Sequence, residues 1–553
     1  MKIRFFVYLT ASWFFHSCAI PKPLEGGPKD EKPPVLLSAK PDTLSTRVDI
    51  NLKEAWLYFD EYIKPLKDTQ RQIIMSPQSK HPPIFSPHNL PRKYIGIKFQ
   101  DSLEKNTTYI INFGESIQDN NEGNKLSSFT YVFSTGKTLD SIKLSGKVRD
   151  AYDRNLEKEI IIGLYKADST FQDSLILSNK PYYIIRADKD GNYQITHIKK
   201  GPYMLIVFND ISHNHIYNPK KGKLGFLSTP IDLKKNESFD LRLSKEVLPL
   251  KILTPKQIGW GHIVFPFEGP LNRVRIKSLK PAERELFIPA ASGDSIDYWY
   301  KPNEEAIQEM KKLAFKITKD TFPPTRGNQT TTKKDLFPKK IEVSIHKEKS
   351  PDFSLQRINA AVVPNKPVWF ESEIPIFSIN TKKVKVEGKD ATKVTFQIVR
   401  DNLRPKNFAL DFSKELEASY KVLFDKAAIE DIFGNKNAEM INFRLKLGKE
   451  SDYGNLEVTL PVLPKKPFWF QLLNNNDKIV EEFYGRKSHY VLQYLDPGTY
   501  HMRVIIDENE DKTWNPGDFK LRRQPEPVYF YNKAIQIRAF LDIRESWTLP
   551  KLP

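Results

Sequence analysis

The sequence predicts an all-β chain, a tandem of β-sandwiches with one minor helix. Forty prolines punctuate 553 residues that also carry 35 phenylalanines and 23 tyrosines. Runs such as KVKVEG, YMLIVF and YHMRVII are four to eight residues long, rich in strand-forming residues and bounded by turn residues, which is the signature of short half-buried strands. Helical periodicity is confined to NEEAIQEMKKLAFKI at 303–317, the one helix expected. At about 100–150 residues per domain, a chain of this length divides into three to five domains.

The chain opens MKIRFFVYLTASWFFHSC, with Lys2 and Arg4 ahead of an apolar run from Phe5 to Phe15. That order of charge and hydropathy predicts a secretory signal peptide at 1–17. The run falls short of the roughly 20 apolar residues a membrane span needs. Cys18 is the only cysteine, so no internal disulfide can form. The segment resembles the lipobox of bacterial lipoproteins, in which the cysteine thiol accepts a diacylglycerol. Ser17 fits the motif, whereas Phe15 and His16 stand where it has an aliphatic and a small residue. The resemblance implies lipidation of Cys18 and a lipidated tether at 18–33, rich in glycine and proline. Ala19 rather than aspartate after the cysteine implies an outer-membrane address. The first acidic residue is Glu25, too far on for a surface-export signal, which implies the periplasmic face rather than the cell surface.

A first domain is expected at 34–137. It carries Phe59, Asp60 and Glu61, then Leu103, Asn106, Thr107 and Tyr109, then Asp119, Gly123 and Asn124. Gly123 and Asn124 tolerate the positive φ of a tight turn, and Tyr109 supplies a large ring for the core. These motifs resemble the bacterial Ig-like domain of surface-layer proteins. A second domain, 138–248, contains the turn and aromatic strand Asp188 to Tyr193 and the turn Gly201-Pro202-Tyr203. It is similar to the transthyretin-like domain that serves as the regulatory part of carboxypeptidases and is widespread in exported proteins of the Bacteroidetes; no catalytic residue travels with it. Residues 249–348 resemble no known family and are expected to form another β domain, with a mobile polar loop at 319–340.

The chain then repeats itself. Residues 416–448 line up with 103–136, setting Leu416 on Leu103, Tyr420 on Tyr109, Asp431 on Asp119 and Gly434-Asn435 on Gly123-Asn124. A second Ig-like domain is therefore expected at 349–449. Residues 495–518 match 198–222 without a gap, placing Gly498 on Gly201, Tyr500 on Tyr203, Asp507 on Asp210 and Asn515-Pro516 on Asn218-Pro219. This predicts a second transthyretin-like domain at 450–553.

Candidate chemistry is sparse. Asp507, Asn509 and Asp511 alternate in DENEDKTWNPGD, where oxygen-bearing side chains could converge on a structural calcium ion. Lys512 stands where the calcium loop has glycine, and the alternative is a polar turn capping its own backbone. His213 and His215 form an H-x-H pair that on an extended strand would turn both rings to one face, as a zinc or copper site requires; two histidines without a third ligand are otherwise ordinary surface residues. The pair Asp60-Glu61 admits glycoside hydrolysis only if the two carboxylates face each other, and a turn is the simpler reading. Of Trp260, Trp299, Trp369, Trp469 and Trp514, the last lies in a polar loop and is the expected exposed contact for a partner. No G-x-S-x-G elbow, H-E-x-x-H pair or phosphate-binding glycine loop occurs in the sequence.

With 86 basic against 68 acidic residues the formal net charge is +18, which favours anionic lipid headgroups, acidic glycans or an acidic protein. Export and the lack of a recognition motif argue against nucleic acid. Together these features predict no enzyme. The expectation is a non-catalytic outer-membrane lipoprotein of Bacteroidetes type, held to the membrane by its lipid and binding envelope or outer-membrane proteins. The alternative is a glycan-binding or adhesive surface lipoprotein.

Overall fold

Alternation of buried and exposed residues along short strands governs the chain from Leu36 to Ser546. The computed structural model describes residues 30–271, 274–290, 292–303, 312–319, 338–346, 348–358 and 362–550. Among them the secondary structure is strand throughout, apart from one four-residue α-helix, Thr69–Gln72, and short 3-10 turns. No described helix is long and apolar enough to cross a membrane. The all-β expectation therefore holds. The expected signal peptide, Cys18 and residues 19–29 of the expected tether lie outside the described residues.

The described chain forms two compact units. The first comprises residues up to 148 together with 158–218 and 229–241. Its leading sandwich sets Glu54–Ile63 between Leu36–Lys40 and Arg92–Lys98, facing a second sheet in which Thr108–Asn112 lies between Ile74–Ser76 and Thr130–Ser134. Phe59, Phe113, Tyr131 and Phe133 fill the space between the sheets. In the next sandwich Ile160–Lys166 runs antiparallel to both Tyr183–Arg186 and Gly201–Asn209. Those central strands are apolar almost without interruption because both of their faces are covered. The opposing sheet pairs Ile142–Asp150 with Asn192–Ile198, and in parallel with Glu237–Ser238. The two sandwiches lock together through Ser76, whose hydroxyl donates to the Ile184 carbonyl at 3.2 Å and accepts the Ile184 N–H at 3.0 Å.

The second unit comprises 149–157, 219–228 and everything from 242. Its first sandwich sets His262–Glu268 between short edge strands and Ser295–Tyr300, over a sheet in which Lys312–Lys319 lies between Val274–Ser278 and Lys339–Ser344. A second builds a core of Phe370, Phe408, Phe424 and Val422. The last pairs Phe468–Asn474 with Gly498–Ile506, opposite a sheet in which Gly454–Thr459 runs parallel to Asp542–Ser546. That parallel edge repeats the Ile142–Asp150 with Glu237–Ser238 pairing, an unusual feature for two otherwise antiparallel sandwiches to share.

The helix expected at 303–317 is corrected. Residues 304–311 lie outside the described residues, and Lys312–Lys319 is a strand with Leu313, Phe315 and Ile317 buried. Leu313 and Ile317 satisfy a helical i, i+4 spacing and a strand alternation equally well, and pairing on both sides with Val274–Ser278 and Lys339–Ser344 decides for the strand. The loop expected at 319–340 lies, for residues 320–337, outside the described residues.

Candidate functional site

The repeated motifs prove to be repeated hydrogen-bond devices. Tyr109 accepts the N–H of Glu104 at 2.6 Å, and Tyr420 accepts that of Glu415 at 3.0 Å, each a ring hydroxyl reaching five residues back. This is the arrangement by which a buried tyrosine pins a sandwich corner. It also corrects the alignment: with Tyr420 on Tyr109, Glu415 falls on Glu104 and Lys414, not Leu416, takes the place of Leu103. Like Leu103, Lys414 is 6% exposed. Its ammonium donates to the Phe412 carbonyl at 2.8 Å and lies over the Phe412 ring, and burial lowers its pKa. Asn106 and Glu417, equivalent in this register, share a positive φ of 50° and 62°.

Each turn of the first repeated pair, at 119–124 and 431–435, is headed by a buried aspartate. Asp119 accepts the N–H groups of Glu122 at 2.7 Å, Gly123 at 3.0 Å and Asn124 at 2.6 Å. Burial pushes its carboxyl up, but those donors overcome it and hold it below the usual range. Asp431, wholly buried, accepts Asn435 N–H at 2.9 Å while its other oxygen has no partner. There burial outweighs the backbone donors and raises the pKa.

The turns of the second repeated pair, at 210–215 and 507–512, match even more closely. Asp210 accepts the N–H groups of Asn214 and His215, both at 3.0 Å; Asp507 accepts those of Asp511 at 3.2 Å and Lys512 at 3.0 Å. His213 and His215 have φ of 53° and 61°, and their counterparts Glu510 and Lys512 have 62° and 61°. The expected shared face of the H-x-H pair is thereby corrected: the segment is a left-handed turn, with His213 exposed and His215 buried. The His215 Nε2 has no hydrogen-bond partner, lies 3.9 Å from Asp210, and burial pushes its pKa down to about 4.

At the calcium candidate, Asp507 is buried and takes a further hydrogen bond from the Tyr484 hydroxyl at 2.8 Å. Asp511 accepts the Thr513 N–H and hydroxyl on one oxygen and the Asn509 and Asn515 amides on the other. Asn509 itself accepts the Asp511 N–H at 3.1 Å. The three side chains therefore cap the loop they belong to, and among the described residues no group of three or more His, Cys, Asp or Glu is placed to hold a metal ion. Glu526 closes the loop from the far side: buried, it accepts the N–H of Glu508 at 2.9 Å and of Asn515 at 2.8 Å. Neither Tyr484 nor Glu526 carries a local sequence signal: Tyr484 reaches the turn from the strand Ile479–Gly485, and Glu526 from the segment leading into the strand Val528–Phe530.

Trp514 is half-buried, its ring 4.7 Å from that of Tyr152 and its indole N–H donating to the Glu526 carbonyl at 3.1 Å. Its expected exposure is corrected: a polar sequence neighbourhood does not decide where a ring packs. Asp60 and Glu61 lie in the strand Glu54–Ile63, not in a turn, and successive strand residues point to opposite faces. A cleft of about 500 Å³ lies among residues that include Arg284, Leu286, Phe377, Arg400 and Asn407. The Asn407 side-chain amide oxygen, Oδ1, is buried there without a hydrogen-bond partner.

With this geometry in place, the class of the leading sandwich is clear: residues 30–135 match the family of the bacterial Ig-like domain. No curated protein matches the chain. Solved structures with similar arrangements include alpha-2-macroglobulin of Escherichia coli, domains MG0-NIE-MG1, at 10% identity over 32% of this chain and 69% of that one, TM-score 0.16. Surface layer protein SbsC, domains 1–6, is similar at 10% identity over 88% and 67%, TM-score 0.15. The major pilin subunit of Bacillus cereus is similar at 10% identity over 74% and 99%, TM-score 0.13.

Proposed function

We propose that the chain is a non-catalytic scaffold of the bacterial cell envelope, a lipoprotein of Bacteroidetes type anchored by a lipid on Cys18 to the periplasmic face of the outer membrane and binding envelope or outer-membrane proteins. One observation carries the reading. The four aspartates Asp119, Asp210, Asp431 and Asp507, which head the turns the chain repeats, are all buried and all accept backbone N–H groups. Carboxylates in that arrangement hold turns open at the ends of sandwiches and offer no group to a substrate. The bacterial Ig-like match at 30–135 supports the same view, and the order of cations, apolar run and Cys18 supports export and lipidation.

Cells grown with an alkynyl fatty acid should label the chain, Cys18→Ala should abolish the label, and crosslinking in intact cells should capture outer-membrane proteins. An unlabelled chain would remove the anchor, and a capture profile identical to that of an unrelated periplasmic lipoprotein would remove the scaffold. The net charge of +18 favours a second reading, a surface lipoprotein that binds acidic glycans. Digestion of the chain by protease added to intact cells selects that reading over the first.

A further inference from the structure

One sheet edge occurs in two copies, and only the first copy is closed. Asp210 donates its N–H to the Glu159 carbonyl at 2.9 Å, and Asp507 donates to that of Pro467 at 3.0 Å, so the two sheets are equivalent residue by residue. In the first copy the strand Tyr183–Arg186 turns Tyr183 and Ile185 to its neighbour Ile160–Lys166 and turns Ile184 outward. That outward edge is occupied: Ser76 bridges the N–H and carbonyl of Ile184, and the Gln78 N–H donates to the Tyr182 carbonyl at 3.2 Å. In the last sandwich the corresponding strand is Ile479–Gly485. There Pro467 faces Gly498–Ile506, so alternation turns Phe470 and Leu472 to Ile479–Gly485, where they pair with Phe483 and Glu481. The N–H and carbonyl groups of Glu482 and Tyr484 therefore point away from the sheet. Glu482, the counterpart of Ile184, is exposed, Ile479 is 49% exposed and Tyr484 39%. Side chains alone tie this strand to its surroundings beyond the sheet: Glu481 pairs with Lys366, and the Tyr484 hydroxyl with Asp507. The whole sandwich from 450 to 550 is described, and among the described residues no second strand pairs with this edge.

An unpaired edge is a template for a further strand, and the residues along this one select it. Lys478 to Lys487 reads KIVEEFYGRK, acidic at Glu481 and Glu482 and basic at Arg486 and Lys487. We infer that the edge pairs antiparallel with the same edge of a second copy of this chain, about a two-fold axis at Phe483. Glu482 of one copy then lies opposite Tyr484 of the other, and each of the two symmetry-related pairs exchanges both of its N–H···O bonds. Long side chains reach the residue two positions along the facing strand. Glu482 therefore meets Arg486 of the other copy, and Glu481 meets Lys487. The same two carboxylates repel a strand that brings no cations to those positions, which guards the edge against indiscriminate pairing. The net charge of +18 on each copy opposes association at long range, but it is screened beyond about 8 Å at physiological ionic strength, and the facing charges lie closer than that. The contact is a narrow strip of the size of transient interfaces, and the association is accordingly weak. It goes beyond the scaffold reading and depends on neither the lipid anchor nor an envelope protein.

The test is sedimentation equilibrium of the full chain in density-matched detergent, where the wild type should exchange between monomer and dimer as concentration rises. Glu481→Lys with Glu482→Lys should weaken self-association at least tenfold, and so should Arg486→Glu with Lys487→Glu. An equimolar mixture of these two variants should recover the dimer, because each supplies the charges the other has reversed, and recovery also shows that both are folded. Glu482→Pro removes an outward N–H that serves no bond within the sheet. It should weaken the dimer at least tenfold and leave the melting temperature unchanged. A wild type that stays monomeric as concentration is raised would overturn the proposal and leave the edge to a strand of another protein. So would a dimer that withstands Glu482→Pro, or charge-reversed variants that fail to recombine.

Discussion

Asp119 and Asp431 occupy the same turn in two copies of one motif, yet their carboxyls shift in opposite directions. The balance differs: N–H groups reach both oxygens of Asp119 and outweigh the effect of burial, whereas burial outweighs the donors at Asp431, one oxygen of which is left unpartnered. Asp119→Asn places an amide against the Asn124 N–H and should destabilise the first unit by about 1–3 kcal/mol, read by chemical denaturation. Asp431→Asn should cost less than about 1 kcal/mol, because it removes a charge that is poorly satisfied. The pH dependences differ in sign as well. The stability contributed by Asp119 is present above the unfolded pKa and is lost as pH falls through its lowered folded value. That of Asp431 declines as pH rises through its raised folded value. His215 adds a third dependence in the first unit. Its pKa is pushed down to about 4 by burial, so between the unfolded value near 6.5 and about 4 the unfolded chain binds the extra proton. Acidification through that window should remove stability, by about 3 kcal/mol at most, and His215→Leu should flatten the profile between pH 4 and 6.5. The aspartates were legible in the sequence because their turns repeat. Their opposite shifts were not, because the balance between burial and N–H donors at a carboxylate depends on the folded geometry around the turn.

At the scale of the element, Lys312–Lys319 shows how far periodicity reaches. Its residues Leu313, Phe315 and Ile317 alternate with Lys312, Ala314, Lys316 and Thr318, and only Phe315 is out of place in the helical reading. The strand assignment predicts that Phe315→Ala, which empties a wholly buried site beside Phe265 and Tyr298, costs about 3–5 kcal/mol. Lys316→Ala should be neutral or slightly stabilising. Thermal unfolding of the two variants distinguishes the assignments, since comparable effects of both would mean that the strand does not bury its alternate residues. Lys414 carries a related expectation. Its place is taken in the first copy by Leu103, so Lys414→Leu should raise stability by about 1 kcal/mol by replacing a buried ammonium with a side chain that needs no partner.

For the whole molecule, separate cores within two compact units predict unfolding in more than one step. Under denaturant, Asp119→Asn should move only the transition of the first unit and Lys414→Leu only one belonging to the second; a single transition moved by both would show that the units unfold together. The loop at Asp507 to Asp511 has its oxygens occupied by donors from its own backbone and neighbours. Addition of calcium or of chelator is therefore expected to leave every transition where it was, and a rise of several degrees with calcium would mean that the loop rearranges around the ion.

The sequence by itself determined the all-β class, the bacterial Ig-like character of the first domain and the positions of the repeated turns. Those properties rest on local spacing: alternation along a strand, glycine where φ is positive, an aspartate four or five residues before the N–H it accepts. Tertiary structure decided the rest. It made Trp514 a packing residue, separated His213 from His215, brought Glu526 and Tyr484 to a loop they are distant from in sequence, and chose a strand for residues 312–319. It also turned the backbone groups of Glu482 and Tyr484 to an open sheet edge. Strand register joins residues separated by tens of positions, and no local pattern along the chain encodes which of them will meet.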